Sequence, residues 1–156
     1  MITSKWIRPG EDISTVLDIR LEVFVEELGW ETAEDIMDAY GYHLVLYYND
    51  APAACGRICY VGPGKARLDR ICVRKKYRRQ GIGDGLVKVL DYKASQLGMK
   101  TAVVETVSQL EKFYMRLGFL KTGETKKYGM DLITMQKETN DGTRENCAHQ
   151  CSGKKG

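Results

Sequence analysis

Two glycines separated by a single residue, Gly81 and Gly83, stand between a strongly basic stretch and a segment with helical periodicity. Glycines at a strand-to-helix junction let the backbone curl so that its N–H groups point into one concavity, and the helix dipole adds partial positive charge at the same place. Arg78 and Arg79 supply guanidinium groups that can bind phosphate oxygens. The pattern therefore predicts a diphosphate site at the loop of Gly81 and Gly83, to which the side chains of Arg78 and Arg79 can add contacts.

Two other interpretations of this loop stay open at the level of the sequence. A lone G-x-G is often no more than a turn, and its arginines are then a solvated face. A dinucleotide-binding loop of the Rossmann type would need a third glycine and would open the first βαβ unit of a parallel sheet. Leu86 stands where that glycine would be, and the loop lies in mid-chain after a predicted hairpin, which argues against that class of protein.

The elements that must position this loop follow from the spacing of apolar residues. Alternating and β-rich runs predict strands, and apolar residues at helical spacing predict amphipathic helices. The predicted strands are 4–8, 42–48, 51–61, 66–73, 101–106, 119–122 and 128–135, and the predicted helices are 13–29, 82–97 and 110–117, with a short helical or irregular stretch at 31–40. This order indicates an α+β or mixed α/β domain with a largely antiparallel sheet.

Length and composition indicate one globular domain. The 156 residues are 43% hydrophobic, which is enough for a full core without metal or disulfide staples. Beyond Lys137 the chain is polar and has no periodicity, so residues 1–137 are assigned to the domain and residues 138–156 to a flexible polar tail. The sequence Cys147-x-His149-x-Cys151 in this tail does not match the usual zinc spacings, and no metal site is predicted.

The net charge and the positions of the cysteines indicate which binding partners and which cellular compartment to expect for the protein. The formal net charge of +3 is too small to argue for nucleic acid, although the basic residues within 74–79 leave an RNA-binding domain as an alternative. The longest apolar runs are much shorter than a membrane helix requires, and the N-terminus has no signal-peptide core, so no membrane partner is expected. Five cysteines, mostly inside strand-like segments, favour a reduced, cytoplasmic protein.

Two motifs, in order and at matching spacing, give a resemblance to a known family. The first is Ile71-Cys-Val-x4-Arg78-x2-Gly81-x-Gly83-x2-Leu86, and the second, after a helix and a short strand, is Phe113-Tyr-x3-Gly118-Phe119. Over residues 4–136 the chain resembles the GCN5-related N-acetyltransferases, or GNAT proteins. The sequence Val-Phe-Val-Glu-Glu at 23–27 is similar to the ElaA-like branch of that family.

The resemblance implies an N-acetyltransferase that uses acetyl-CoA as co-substrate and no metal. It implies that the fourth and fifth strands, 66–73 and 101–106, splay apart so that acetyl-CoA passes between them. The backbone of Ile71, Cys72 and Val73 would bind the pantetheine amides, and the N–H groups of 78–84 would hold the pyrophosphate. Asp84 is an unexpected acid at this position, but the contact in the family is made by the backbone.

Acetyl transfer to an amine requires a neutral amine, stabilisation of the oxyanion and a proton for the leaving thiolate. In the family the tyrosine of the second motif lies near the CoA sulfur, which implies Tyr114 as proton donor, with simple packing as the alternative. The N–H of Ile71 or Val73 would stabilise the oxyanion. Candidate bases are Asp69, predicted to share a strand face with Ile71 and Val73, and Glu105; for both, a salt bridge is the alternative.

The acceptor side is predicted from charge. In the family the first helices and the following loop form the acceptor wall, here residues 11–40, which carry ten carboxylates and one base. A negative wall favours a primary amine on a cationic molecule such as a polyamine, an aminoglycoside-like compound or a lysine side chain, although a solvated helix face explains the same charges. A non-catalytic CoA-binding or protein-interaction domain is the alternative function, and a homodimer is compatible with the sequence.

Overall fold

The computed structural model describes residues 1–140, which form one seven-stranded sheet with helices against it. The strand order is β1-β2-β3-β4-β5-β7-β6, and every neighbouring pair is antiparallel except β4 and β5. The strands are β1 (Ile2–Ile7), β2 (Tyr42–Tyr48), β3 (Ala51–Gly62), β4 (Lys65–Val73), β5 (Thr101–Thr106), β6 (Leu120–Lys127) and β7 (Met130–Glu138), and the α-helices are α1 (Ser14–Arg20), α2 (Ile82–Gln96) and α3 (Glu111–Arg116). The predicted α+β domain with a mostly antiparallel sheet is confirmed.

The core lies on both faces of the sheet. On the face covered by α2, the helix buries Leu86 and Leu90 in a cluster with sheet residues such as Leu68. On the face covered by α1, the helix buries Ile19 in a second cluster that includes Cys55 of β3. We call these the α2 face and the α1 face. Because successive strand residues point to opposite faces, the face of a side chain decides which helix it meets.

Helix α1 does not continue as one α-helix to Gly29, as its periodicity predicts. After Arg20 the chain widens into a π-helix, Leu21–Glu27, and the N–H of Trp30 donates to the carbonyl of Phe24, six residues back, at 2.8 Å. The ring of Trp30 stacks on that of Phe24 with centroids 4.4 Å apart. Apolar spacing over so few residues does not distinguish a π-helix from an α-helix, so the change from one to the other could not be predicted.

The last hairpin is longer than predicted. β6 includes residues 123–127, which were expected to connect two short strands. The turn consists of Tyr128 and Gly129, whose φ angles of 53° and 73° fit a two-residue hairpin loop between the paired Lys127 and Met130. Most of β6 is exposed, so its sequence carries no apolar alternation that would indicate a strand.

The ordered domain extends past the predicted boundary at Lys137. β7 includes Glu138, and Thr139 is buried, with its N–H donating to the carbonyl of Lys100 and its hydroxyl to that of Met99. The rest of the predicted tail, including the motif at 147–151, lies outside the described residues. Within residues 1–140 no helix is long and apolar enough to cross a membrane.

Candidate functional site

A cleft opens between β4 and β5 because the two strands diverge. Their parallel pairing begins at Lys65 and Thr101 and ends at Arg67 and Val103. β4 continues to Val73 and β5 to Thr106, and over these later residues the described structure contains no β4–β5 pairing. An extended ligand with amide groups can add to such an open strand edge as an extra strand would. The predicted splay of the fourth and fifth strands is confirmed.

A β-bulge in β4 lies beside this cleft. One residue of β3, Gly56, stands opposite two of β4, Arg70 and Ile71, and Arg70 has a left-handed φ of 49°. An extra residue shifts the alternation of side chains by one position. Ile71 therefore packs against the α2 face, whereas Asp69 points to the α1 face. The expectation that Asp69 shares a face with Ile71 and Val73 is wrong, because the bulge separates them.

Asp69 is held by arginines on the α1 face. Its carboxylate accepts hydrogen bonds from Nε and Nη2 of Arg57 at 2.8 and 2.9 Å, and from Nε of Arg67 at 2.9 Å. Both oxygens are thus engaged by guanidinium groups. Asp69 is therefore a salt-bridge partner, which was the alternative to a catalytic role. Its role as general base stays a prediction.

Arg57 is the centre of a buried ion-pair network. Its fully buried guanidinium also donates to Asp35 at 2.6 Å and to Asp38 at 2.9 Å, and Arg20 donates to Asp38 at 2.8 Å. Burial opposes the ionisation of Asp35, but hydrogen bonds and charge from Arg57 and Arg70 outweigh it and hold the pKa of that carboxyl well below its usual range. Burial likewise opposes the charge of Arg57, and Asp69 and Asp35 outweigh it, so the pKa of Arg57 is raised.

His43 is a neutral member of the same network. Its Nε2 lies 3.0 Å from the backbone carbonyl of Asp38, and its Nδ1 lies 3.4 Å from Nη2 of Arg20. A carbonyl only accepts and a guanidinium only donates, so the proton is assigned to Nε2. Burial is the main cause that lowers the pKa of His43.

The acidic segment 11–40 is in large part neutralised by arginines. Asp35 and Asp38 belong to the buried network, and Glu22 lies 3.4 Å from Nε of Arg74. The carboxylates of this segment that form no ion pair within residues 1–140 are Asp12, Asp18, Glu26, Glu31 and Glu34. The negative wall predicted for the acceptor is therefore weaker than the sequence count suggests.

The loop before α2 has the curled backbone that the glycines predict. Arg79 and Gly81 both have left-handed φ angles, 65° and 75°, and no atom lies within 4 Å of a Cβ placed on Gly81. Gly81 caps α2 without a side-chain hydrogen bond, and the first N–H groups of a helix have no partners inside it. Phe113 of α3 lies 3.8 Å from a Cβ placed on Gly83, so α3 packs against this helix end. The backbone fits a diphosphate group.

The side chain of Arg78 does not point freely into this loop. Its Nη1 and Nη2 each donate to one carboxylate oxygen of Glu27 at 2.6 Å, and its Nε donates to the carbonyl of Val73 at 2.9 Å. All three nitrogens of the guanidinium therefore have protein partners, contrary to the expectation of a side-chain phosphate contact by Arg78. Arg79 is exposed and forms no ion pair within residues 1–140, so it is the better placed of the two for that role.

Tyr114 lies in α3 and belongs to the buried cluster on the α2 face. Its ring makes edge contacts with Phe113 and Phe119 at centroid distances of 4.9 and 5.5 Å. Burial raises the pKa of Tyr114 to about 12, so the phenol is protonated at neutral pH. Within residues 1–140, the fully buried side-chain nitrogen and oxygen atoms without a hydrogen-bond partner are Nε of Arg20 and Nε of Arg74. The hydroxyl of Tyr114 is therefore not a fully buried group that lacks a partner.

Glu105 lies in β5 between the buried Val104 and Thr106, so it points to the α1 face. Its carboxylate is about one-fifth exposed and accepts one hydrogen bond, from Nζ of Lys127 at 3.0 Å. Glu105 thus keeps more free acceptor capacity than Asp69. Among residues 1–140 no group of three or more His, Cys, Asp or Glu is placed to hold a metal ion.

Sequence reasoning missed Arg20, Arg57 and Glu27 as residues that shape the site. Arg57 contacts carboxylates 12, 19 and 22 positions away, and Glu27 contacts Arg78 over 51 positions. No local pattern marks pairs at such distances along the chain. An arginine inside a run of buried strand residues was the available signal for Arg57, because a buried arginine requires carboxylate partners.

Comparisons with known proteins bear on the family and the fold of this chain. The family model of the acetyltransferase (GNAT) domain matches residues 11–139. The chain is 29% identical over 132 residues to the uncharacterized N-acetyltransferase YjcF of Bacillus subtilis, covering 82% of this chain and 94% of YjcF. The fold is similar to the crystal structure of Escherichia coli ElaA, with a TM-score of 0.78 and 21% identity over 88% of this chain and all of ElaA.

A second solved structure with a similar fold contains a bound ligand. The crystal structure of a GNAT family acetyltransferase from Elizabethkingia anophelis with acetyl-CoA bound has a TM-score of 0.67 and 24% identity, covering 88% of this chain and 97% of that protein. At these identities the likeness shows the fold.

Proposed function

Because the chain belongs to the GNAT family and is an acyl-CoA N-acyltransferase, we propose that its cleft takes acetyl-CoA and passes the acetyl group to a primary amine. This placement is supported by the end of β4–β5 pairing at Arg67 and Val103. Beyond that point β4 continues to Val73, and α2 is the next α-helix along the chain. An open strand edge and a helix N-terminus then follow each other within a few residues. They suit a ligand that combines amide groups with a diphosphate.

The proposed binding residues are divided between the strand and the loop. The backbone of Ile71, Cys72 and Val73 binds the pantetheine amides at the open edge of β4. The N–H groups of Gln80, Gly81, Ile82, Gly83 and Asp84 hold the pyrophosphate, and the exposed guanidinium of Arg79 adds charge. Arg78 keeps the loop in place through Glu27 and the carbonyl of Val73, and so acts as a positioning residue.

Tyr114 is the proposed proton donor. Acetyl-CoA supplies an acetyl group activated as a thioester, and its departing thiolate needs a proton. The phenol of Tyr114 keeps its proton at neutral pH because burial raises its pKa to about 12, so it can donate a hydrogen bond to the departing thiolate. Because a thiol has a pKa of about 8.5, full proton transfer to the thiolate requires that Tyr114 regain a proton in the same step, from the one that the attacking amine loses. The backbone N–H of Ile71 or Val73 stabilises the oxyanion.

For the base we propose Glu105 before Asp69. Glu105 has a single partner, Lys127, which is itself half exposed, whereas both oxygens of Asp69 are held by Arg57 and Arg67. A carboxylate that is free on one side can take a proton from the amine, directly or through one water. Glu105→Gln should therefore lower kcat at neutral pH much more than it changes the KM for acetyl-CoA.

The acceptor is proposed to be a primary amine on a cationic molecule, of the polyamine, aminoglycoside-like or lysine type. The support is the group of unpaired carboxylates on the α1 side, Asp18, Glu26, Glu31 and Glu34, which attract positive charge. A panel of amines at fixed acetyl-CoA tests the idea. A preference for acidic amino acids would rule it out, whereas a preference for polyamines that weakens with salt would support it.

Calorimetric titration with acetyl-CoA tests the binding site. Gly81→Glu places a carboxylate and a strained φ in the loop, and should abolish binding. Gly98→Glu is the matched control, because Gly98 has a similar left-handed φ of 87°, a Cβ placed on it would meet no atom of residues 1–140 within 4 Å, and it lies just past the other end of α2. If both variants are folded and bind equally well, the pyrophosphate site is not at this loop.

Tyr114→Phe tests the chemistry separately. The variant keeps the ring contacts with Phe113 and Phe119 and loses only the hydroxyl. Its acetyl-CoA affinity should be unchanged, and kcat should fall by about 10²-fold or more, the range for loss of a general acid. An unchanged kcat would remove Tyr114 from the mechanism and leave it as a packing residue.

A further inference from the structure

Two buried cysteines face each other across β3 and β4. Cys55 and Cys72 are direct partners in the antiparallel register, and their sulfur atoms are 3.6 Å apart. Cys55 has no exposed surface and Cys72 is 6% exposed. Both belong to the cluster on the α1 face. The pair is not used by the acetyl-transfer mechanism described above.

The backbone geometry at this pair suits a disulfide. Directly opposite residues in an antiparallel pair have Cα atoms about 4.5 or 5.5 Å apart, depending on their hydrogen bonding. Both values lie within the range of about 4.4–6.8 Å that disulfides require. A rotation of the two side chains, with little backbone movement, is enough to bring the sulfur atoms into bonding contact.

A buried arginine makes one of the two thiols reactive. Nε of Arg20 is one of the two fully buried side-chain nitrogens within residues 1–140 that lack a hydrogen-bond partner. A thiolate at Cys55 would be its acceptor. The hydrogen bond from Cys72 is the main cause that lowers the pKa of Cys55, and it acts together with Arg20 against the effect of burial. The same contact and burial raise the pKa of Cys72, so Cys55 loses its proton more readily than Cys72.

We propose that Cys55 and Cys72 form a redox pair that a hydroperoxide oxidises to a disulfide, and that the disulfide weakens the binding of acetyl-CoA. The Cys55 thiolate attacks a peroxide oxygen, the O–O bond breaks and Cys55 becomes a sulfenic acid, with hydroxide leaving and taking up a proton to form water. Cys72 then attacks the Cys55 sulfur, its own proton goes to the departing hydroxide, and a second water leaves. With hydrogen peroxide, two thiols and one peroxide give one disulfide and two waters.

The link to acetyl-CoA comes from the position of Cys72. It lies between Ile71 and Val73, in the strand that the proposed function assigns to the pantetheine. Oxidation draws the sulfurs from 3.6 Å to about 2.05 Å and links β4 covalently to β3 at Cys72, so this part of the open edge can no longer shift to fit the pantetheine. This consequence rests on the proposed function, whereas formation of the disulfide does not.

Peptide mapping of the full chain tests the disulfide. Trypsin separates the three cysteines of the domain, because Cys55, Cys59 and Cys72 fall in the peptides 21–57, 58–65 and 71–74, and both tail cysteines fall in 145–154. After treatment with hydrogen peroxide and blocking of free thiols, peptide 21–57 should be cross-linked to 71–74, and dithiothreitol should reverse the link. Absence of this cross-link under conditions that oxidise other thiols of the chain would overturn the proposal.

Cys59 provides the matched control. It is buried in the same strand, but burial raises its pKa to about 11, so Cys59→Ser should leave the cross-link intact, and Cys72→Ser should prevent it. Acetyl-CoA affinity of the oxidised protein should be about tenfold lower than that of the reduced protein, with no such change after peroxide treatment of Cys55→Ser, which also cannot form the cross-link and lies outside the proposed binding residues. If the cross-link forms and the affinity stays the same, the regulatory role is wrong. If the reduced protein does not bind acetyl-CoA, the proposed function fails and the peptide map still decides the disulfide.

Discussion

Glu27 and Arg78 form a bidentate ion pair, with both N–O distances 2.6 Å, that joins the π-helix on the α1 side to the loop before α2. Each side chain is about one-third exposed. The hydrogen bonds from Arg78 are the main cause that lowers the pKa of Glu27. The pair connects the proposed acceptor wall with the proposed pyrophosphate loop, and it keeps the charge of Arg78 neutralised.

Glu27→Gln should strengthen acetyl-CoA binding at low salt. The amide oxygen of Gln can still accept a hydrogen bond from Arg78, and Nε of Arg78 keeps its bond to the carbonyl of Val73, so the loop stays in place. The change removes the negative charge that neutralises Arg78, so the loop becomes more positive where a diphosphate binds. We expect the dissociation constant to fall on the order of threefold at low ionic strength, with the difference lost near 1 M salt, where charges are screened beyond about 3 Å. Isothermal titration calorimetry at two salt concentrations measures it.

Glu26→Gln is the control for this prediction. It removes one negative charge from the same π-helix, but Glu26 forms no ion pair within residues 1–140. A change as large as that of Glu27→Gln would mean that overall charge, and not release of Arg78, determines the affinity.

Arg57→Met should destabilise the domain strongly. The variant leaves Asp35, Asp38 and Asp69 without their shared buried partner, and removing one side of a buried ion pair costs about 3–5 kcal/mol. Urea unfolding at pH 7 measures the free energy. Arg8→Met, at a side chain that is 75% exposed, should change it by no more than about 0.5 kcal/mol. A loss below about 1 kcal/mol for Arg57→Met would show that the network contributes little to stability.

Stability should fall in two stages as the solution is acidified. Burial lowers the pKa of His43, so its contribution is complete above the ordinary value of 6.5 and is lost as the pH falls below it. The pKa of Asp35 is also held below its ordinary value of 3.8, and its contribution is lost only below about pH 4. Urea unfolding at pH 8, 5.5 and 3.5 measures both stages.

His43→Gln separates the two stages. The variant should lose the pH dependence between 6.5 and 5.5 that His43 causes, and should keep the loss below pH 4. His149 is present in both proteins, so its contribution cancels in the comparison. An identical slope in the two proteins above pH 5.5 would contradict the assignment of His43 as a neutral buried group.

Gly56→Ala should destabilise the sheet opposite the β4 bulge. A Cβ at this position would lie 2.7 Å from Cδ1 of Leu90, which is fully buried in the α2 face. Overpacking of this kind costs about 1–3 kcal/mol. Gly62→Ala in the same strand meets no atom within 4 Å and should be close to neutral. Equal unfolding free energies for the two variants would show that the contact relaxes freely.

Local pattern was sufficient to locate the elements that carry the site. The strand 66–73, the glycine pair and the helix that begins at Ile82 were all predicted within a residue or two, because burial on one side of a regular element imposes a period on its sequence. Tyr114 was named as a candidate proton donor because it lies in the second motif. The hairpin of β6 and β7 was predicted too short, because an exposed strand carries no such period.

The α+β class, the curled glycine loop before α2 and the residue types that suit acetyl transfer can all be derived from the amino-acid sequence. Which of these groups are in contact became visible only in the folded chain. One extra residue at Arg70 turned Asp69 away from Ile71, and strand register placed Cys55 opposite Cys72. Arg78 was drawn to Glu27, 51 positions away. Periodicity reports the burial of each residue, whereas contacts between distant residues depend on register and packing that no local pattern contains.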